Sequence, residues 1–270
     1  MINIYSKSRK DYIIVKSGMP FFSFWVVGST SFDPYLFIPS EIAKFDFGDG
    51  TSETTTNSPT HVYADTNNYL VKISLSDLAL ITELKIQIDG VYGEILNLDK
   101  LINLSNFECY SNNISIIDIT KNPLLTLINC STNNINVLDT TFSINLVRLY
   151  CKYNNISILN LTNTVNLKTL DCRSNNILDI NFTNLTILES VFCNGNEIKI
   201  FDFQSPNLST VYFPDNNLTS AENDTVFINL NDITTKLNGT ARSGGTNAAP
   251  TSTSQAARDN LTASGWTLIL

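Results

Sequence analysis

Histidine is almost missing from this chain: His61 is the one copy in 270 residues. A Ser-His-Asp or Cys-His nucleophilic centre would have to be built on that single imidazole, and no HExxH or Cys/His zinc spacing is present. There is also no P-loop, no dinucleotide fingerprint and no CxxC pair. Asp46-Phe47-Gly48 spells the kinase metal-binding tripeptide, but no glycine-rich loop, no VAIK lysine and no HRD segment accompany it. These absences predict a protein that is not an enzyme, with no catalytic residues, no cofactor and no metal.

Charge is scarce as well. Only 16% of residues are charged, with 17 Lys and Arg against 25 Asp and Glu, a net charge of -8 and a pI near 4.6. With no basic cluster to reverse that field, nucleic acid is excluded as a partner. The longest apolar run, Phe21 to Val27, is too short to insert into a membrane. Met1 to Lys16 is basic but lacks the apolar core and cleavage site of a secretory signal, so the chain is expected to fold in the cytoplasm unless a leader has been removed.

The 43% hydrophobic residues are organised by a repeat. Cys109, Cys130, Cys151, Cys172 and Cys193 are spaced by 21 residues at every step. Each closes an apolar pattern, as in Leu104-x-x-Phe107-x-Cys109 and Leu146-x-x-Leu149-x-Cys151, and each precedes an asparagine by three: Asn112, Asn133, Asn154, Asn175 and Asn196. A sixth copy, Leu208-x-x-Val211-x-Phe213 with Asn216, puts Phe in place of the thiol and shortens the step to 20. Ile117/Ile119, Leu159/Leu161 and Phe201/Phe203 form a second apolar patch, and Leu96/Leu98 suggest a degenerate first coil. This pattern resembles the leucine-rich-repeat consensus, in which each coil adds one short parallel strand to a concave sheet. The resemblance implies inward thiols that behave as small hydrophobes and asparagines that bond the turning backbone. Asp118, Asp139 and Asp202, with Asn160 and Asn181 at the same place, then read as turn formers rather than a carboxylate pair.

Upstream, Phe45, Phe47, Gly48, Asp49, Gly50, His61, Tyr63, Tyr69, Val71 and Ile73 match the F-x-F-G-D-G, H-x-Y and Y-x-V-x-L signature of the PKD family. The resemblance implies an immunoglobulin-like β-sandwich, with Tyr12 to Val15 and Phe21 to Val27 as its first strands and Asn68 in a glycine's place through its tolerance of left-handed angles. A calcium role for Asp46 and Asp49 stays open, although two carboxylates in a turn fall short of the about six to eight oxygens that calcium takes. Downstream, Ser252-x-x-Gln255 suggests a capping box, Gly265 a helix end and Trp266 to Leu270 a closing strand. This tail, beginning GGTNAAPT, resembles a C-terminal module of repeat proteins of Bacteroidota and their phages.

The expected architecture is mainly β: an arm (1–10), a PKD-like sandwich (11–78), a leucine-rich-repeat solenoid (79–218) and a small α+β cap (219–270). The strand residues that alternate with the inward ones would face the concave surface. Arg148, Tyr150, Lys152, Arg173, Phe192 and Tyr212 are the candidate ligand-binding residues, because aromatic rings beside Arg and Lys dominate protein and sugar contacts. The alternative is that they only solvate and stiffen the strands. The expected function is a non-enzymatic structural and binding protein. The absent leader, the unpaired thiols and the tail motif point to a phage virion component: a capsid decoration, head fibre or tail adhesion module. The other reading is a bacterial surface adhesin or glycan-binding protein; accessory domains of a polysaccharide-active enzyme are a third. Partners would be virion proteins or a host surface protein or glycan, and a homo-oligomer following the symmetry of its support fits the same picture.

Overall fold

The computed structural model describes residues 21–27, 31–32, 35–37, 43–55, 59–65, 67–75, 77–86, 91–233 and 238–270. The arm 1–10 and the expected strand Tyr12 to Val15 lie outside them.

A coil of 21 residues has room for only a short strand before it must turn. Asn106–Glu108, Leu127–Asn129, Arg148–Tyr150, Thr169–Asp171, Ser190–Phe192 and Thr210–Tyr212 each contribute three residues to one parallel sheet. The register is unbroken, running Phe107, Ile128, Leu149, Leu170, Val191, Val211 across neighbouring strands. Those central side chains and the residue two positions later, a cysteine in five coils and Phe213 in the sixth, are wholly buried. The thiols are all free, and burial pushes each above its ordinary pKa, Cys130 to about 12. They therefore fill space as neutral groups.

The asparagines tie one coil to the next. Asn154 Nδ2 donates to the Cys151 carbonyl of its own coil and the Cys130 carbonyl of the coil before, both at 3.0 Å, while its Oδ1 accepts from Ile135 N–H. Asn133, Asn175, Asn196 and Asn216 repeat the arrangement. On the opposite wall the patches Ile117/Ile119, Leu159/Leu161 and Phe201/Phe203 are buried. Asp118, Asp139, Asn160 and Asn181 each accept the backbone N–H two residues on, and so make turns. Asp202 departs, accepting from the Gln204 side chain instead. The result is a β-solenoid of stacked coils like that of leucine-rich-repeat proteins.

The long sheet reaches beyond the cysteine repeats at both ends. Glu83–Lys85 pairs in parallel with Asn106–Glu108, which sets Leu84 beside Phe107, so a coil without a thiol precedes the first cysteine. Leu98 of that coil is buried. Tyr35–Phe37 then closes this edge antiparallel. A second sheet of six strands has Phe21–Val27 between Asn68–Ser74 and Val91–Leu96, continues through Ala43–Asp46 to Ser52–Thr55, and takes Asn113–Ile116 of the solenoid at its other edge. One buried apolar cluster runs from Phe24 to Trp266.

The F-x-F-G-D-G strand and turn pack as a unit. Phe45, Phe47, Tyr63, Val71 and Ile73 are buried, the Phe47 and His61 rings stack at 4.1 Å, and the Tyr63 hydroxyl donates to the Phe47 carbonyl. Asn68 has no left-handed backbone; it opens the strand Asn68–Ser74, where extended angles suit asparagine without strain. Gly48 is the position that needs glycine. Its φ is +82°, and a Cβ there would lie 2.7 Å from the Leu70 carbonyl oxygen. Gly48→Ala is expected to cost about 2–3 kcal/mol, against less at Gly50, where a Cβ meets nothing within 4 Å; urea midpoints of the two variants would check the difference.

The C-terminal region holds one helix that the sequence pattern did not mark and one cap on a different residue from the expected one. Ser220–Ile233 is a helix, opened by the reciprocal pair Thr219 N–H to Glu222 Oε2 and Glu222 N–H to Thr219 Oγ1. It takes the place of a further coil, and Phe213 stands where a cysteine would because the larger ring reaches both Phe201 and Phe227 of this helix. The second helix, Gln255–Ala263, is entered through a turn of 3-10 helix whose cap is Thr251 rather than Ser252; Gln255 bonds Arg258 instead of reaching back. Gly265, at φ +84°, follows this helix, and Thr267–Ile269 is the expected closing strand. Together with Thr240–Arg242, that strand extends the parallel sheet, so its solvent face continues onto the cap.

Candidate binding surface

Strand alternation decides which side chains reach solvent. In Arg148–Tyr150, Leu149 is buried while Arg148 is exposed and Tyr150 half-buried on the other face. Lys152, past the inward Cys151, is half-buried, with Nζ 5.7 Å from the centre of the Tyr153 ring. In register, Tyr150 neighbours Asp171, Asp171 neighbours Phe192, and Phe192 neighbours Tyr212. Rings one strand apart meet, with the Phe192 and Tyr212 centroids at 5.3 Å.

Asp171 organises the middle of this row. Its side chain is 6% exposed and binds Arg173 through two bonds, Nε to Oδ1 at 2.8 Å and Nη2 to Oδ2 at 2.7 Å. The fork fixes the guanidinium 5.3 Å from the Phe192 ring centre, where charge and ring face attract. The hydrogen bond to Asp171 also raises the Arg173 pKa, so its charge is permanent. Arg148, Tyr150, Phe192 and Tyr212 thus lie on the outer face of one sheet, with Lys152 and Arg173 two residues past the ends of its strands. Arg173, Phe192 and Tyr212 are joined into one stack; Arg148, Tyr150 and Lys152 occupy the coil before it.

Three contributors escaped the sequence reading. Asp171 stood in the right column without a role, because its pairing is a side-chain event two residues away. Arg242 is the register partner of Tyr212 and exposed, yet Thr240-Ala241-Arg242 has no leucine or cysteine to align it with the repeats. Lys85 belongs to the coil without a thiol and lies 5.3 Å from the Tyr110 ring centre.

A second polar group sits at the F-x-F-G-D-G turn. Asp49 Oδ1 accepts from the Thr51 N–H and hydroxyl, and Oδ2 lies 2.8 Å from His61 Nε2; Asp46 Oδ1 accepts from Gly48 N–H. These oxygens serve the turn, and among the described residues no group of three His, Cys, Asp or Glu could hold a metal. Desolvation pushes the Asp49 carboxyl up, but the bonds from Thr51 and His61 outweigh it and lower its pKa from 3.8 to about 2. A carboxylate with a depressed folded pKa stabilises fully above its unfolded value and loses that contribution as pH falls. The wild type is therefore expected to lose melting temperature between pH 4 and 2 more steeply than Asp49→Asn, which melts lower at neutral pH; parallel slopes would contradict this.

No protein-family profile matches the chain, and no curated protein does. Among solved structures it is similar to the functional domain of InlJ of Listeria monocytogenes, described as including a cysteine ladder, at 25% identity and a TM-score of 0.48. That similarity covers 58% of this chain and 39% of the other. A leucine-rich-repeat protein of Leptospira interrogans is 16% identical at a TM-score of 0.45, over 64% of this chain and 56% of that one. The internalin InlF of L. monocytogenes is 20% identical at 0.43, over 71% and 68%. The chain thus spans well under two thirds of the first two structures. Among the described residues no helix is long and apolar enough to cross a membrane.

Proposed function

We propose that this chain is a non-enzymatic binding and scaffolding protein that presents the solvent face of its long sheet to a protein or glycan. The observation that carries this reading is the row Tyr150, Asp171, Phe192 and Tyr212, in which a buried carboxylate braces Arg173 against half-exposed rings. Strand stiffening alone gives no reason for a bidentate brace on a guanidinium at the surface, whereas a fixed cation beside rings is a preorganised contact. Arg148, Tyr150, Lys152, Arg173, Phe192 and Tyr212 are its contact residues.

The division into an arm (1–10), an immunoglobulin-like PKD module (11–78), a solenoid (79–218) and a cap (219–270) belongs to the same proposal. The packing of Phe47, His61 and Tyr63 supports the module's turn, while Phe21–Val27 and Tyr35–Phe37 pair with strands beyond residue 78. So does the setting, a phage virion component or a bacterial surface adhesin, which the surface chemistry fits equally. Purified virions and outer-membrane fractions of a producing culture, searched for peptides of this chain, separate the two settings. The surface itself is tested by the triple variant Arg148→Ala, Phe192→Ala, Tyr212→Ala on an array of cell-surface proteins and glycans. Retained melting temperature with lost binding is the expected result. Unchanged binding would remove the sheet face from consideration.

A further inference from the structure

We infer that the ligand of this face is an acidic polysaccharide whose sugar rings carry carboxylates, of the uronate class. This rests on the proposed binding role of the same surface and names its chemistry.

Charge gives the first argument. The outward columns of the long sheet carry the cations Lys85, Arg148, Lys152, Arg173 and Arg242. The same columns hold three carboxylates, Glu83, Glu108 and Asp171. Five against three leaves +2 on this face of a chain whose net charge is -8. The Asp171–Arg173 pair cancels within that sum, which leaves Lys85, Arg148, Lys152 and Arg242 against Glu83 and Glu108, still +2. A face opposite in sign to its protein selects an anion locally, while the overall charge repels long uniform polyanions such as nucleic acid.

The neutral groups give the second. Most apolar side chains of the strands turn inward, Leu127 and Ile269 being the outward exceptions, and beside the rings the outward positions hold short amides and hydroxyls: Asn129, Thr169, Ser190 and Thr210. The buried centre of a protein interface is apolar and depleted of charge. On this face the apolar area is confined to Leu127, Ile269 and the half-buried rings, and charged side chains stand among them. Rings at 5.3 Å, with Arg173 over one and Arg242 in register with the other, instead offer a stacking platform ended by cations. The C–H faces of consecutive sugars lie on such rings, their carboxylates meet the guanidinium groups, and their hydroxyls pair with the amides.

The test is calorimetric titration of the whole chain with oligogalacturonate, its methyl ester, poly-L-glutamate and oligothymidylate. Oligogalacturonate is expected to bind, weakening as salt is raised, and the ester, poly-L-glutamate and oligothymidylate to bind at least about tenfold more weakly. Phe192→Ala should lose about tenfold, and the exposed Arg148→Gln and Arg242→Gln up to about fivefold each. Equal binding of the ester, or of poly-L-glutamate with no effect of Phe192→Ala, would overturn the uronate assignment in favour of a neutral glycan or an acidic peptide. Tighter binding of oligothymidylate would overturn it in favour of nucleic acid. Binding of none overturns it too, yet leaves the broader role standing if the triple variant still loses an array ligand; failure of both results removes the surface altogether.

Discussion

Asn154→Ala is expected to cost about 2–4 kcal/mol and to lower the melting temperature by roughly 5–15 °C, although it removes one side chain of modest size. Each cysteine carbonyl in the stack accepts from two asparagines, its own coil's and the next coil's, as Cys130 does from Asn133 and Asn154. Removing Asn154 therefore weakens the Cys130 and Cys151 carbonyls without stranding them. The Ile135 N–H is different: Asn154 Oδ1 is its one hydrogen-bond partner among the described residues, and Ile135 is fully buried. A buried donor left unpaired loses its full desolvation cost, and the void adds to it. Because a solenoid is stabilised by contacts between neighbouring coils, the damage falls on the step between the second and third thiol coils. Asn154→Asp should be at least as harmful, since it keeps the acceptor but sets a buried carboxylate against two carbonyls. Asn155→Ala, on the exposed neighbour, should lie within about 0.5 kcal/mol of wild type. Urea denaturation of the three variants checks the ranking; equal midpoints would mean that the ladder does not hold the coils together.

Asp224→Ala is expected to cost about 3–5 kcal/mol, and to do so at one end of the molecule. Asp224 and Arg258 are both nearly buried, 4.0 Å apart, and Ser254 bridges them by donating to Asp224 while accepting from Arg258 Nη1 at 2.9 Å. Burial alone would raise the Asp224 carboxyl. Bonds from Ser254 and Thr251 and the charge of Arg258 outweigh that and hold it below its ordinary value. The alanine variant leaves the charge of Arg258 uncompensated between the helices Ser220–Ile233 and Gln255–Ala263, although Ser254, Gln255 and the Thr251 carbonyl still accept from it, and it strips Thr251 and Ser254 of their acceptor. Asp224→Asn, which still accepts hydrogen bonds, should be milder. Hydrogen exchange reads the location: protection should fall in Thr240–Arg242 and Thr267–Ile269, while Leu127–Asn129 to Thr169–Asp171 stay slow. A uniform loss would show that the cap and the solenoid unfold as one unit. Since this folded pKa is depressed, the contribution is present at neutral pH and is lost as acid titrates Asp224, so the difference between wild type and variant should shrink at low pH.

The solenoid was legible because a repeat states the same local instruction many times. Leu104, Phe107, Cys109 and Asn112 recur in register, so neighbouring coils can stack only one way that buries every apolar column. The helix Ser220–Ile233 was not read from the sequence: the mixed polarity of the segment hides the helical face, and the Thr219–Glu222 capping pair emerges from the structure. Arg242 and Lys85 were not legible as surface residues, since the coils that carry them lack the cysteine that aligns the others.

The sequence by itself determined the stacked coils, the burial of the five thiols, the asparagine ladder and the solvent-facing columns, since all follow from a period of 21 residues and the alternation of a strand. Only the tertiary structure decided that the long sheet gains strands at both ends, that Asp171 locks Arg173 over Phe192, and that Arg242 joins Tyr212. Those pairings link residues on separate coils or involve the direction of one side chain. Their stability comes from contacts made after the chain has folded back on itself, which no local pattern records.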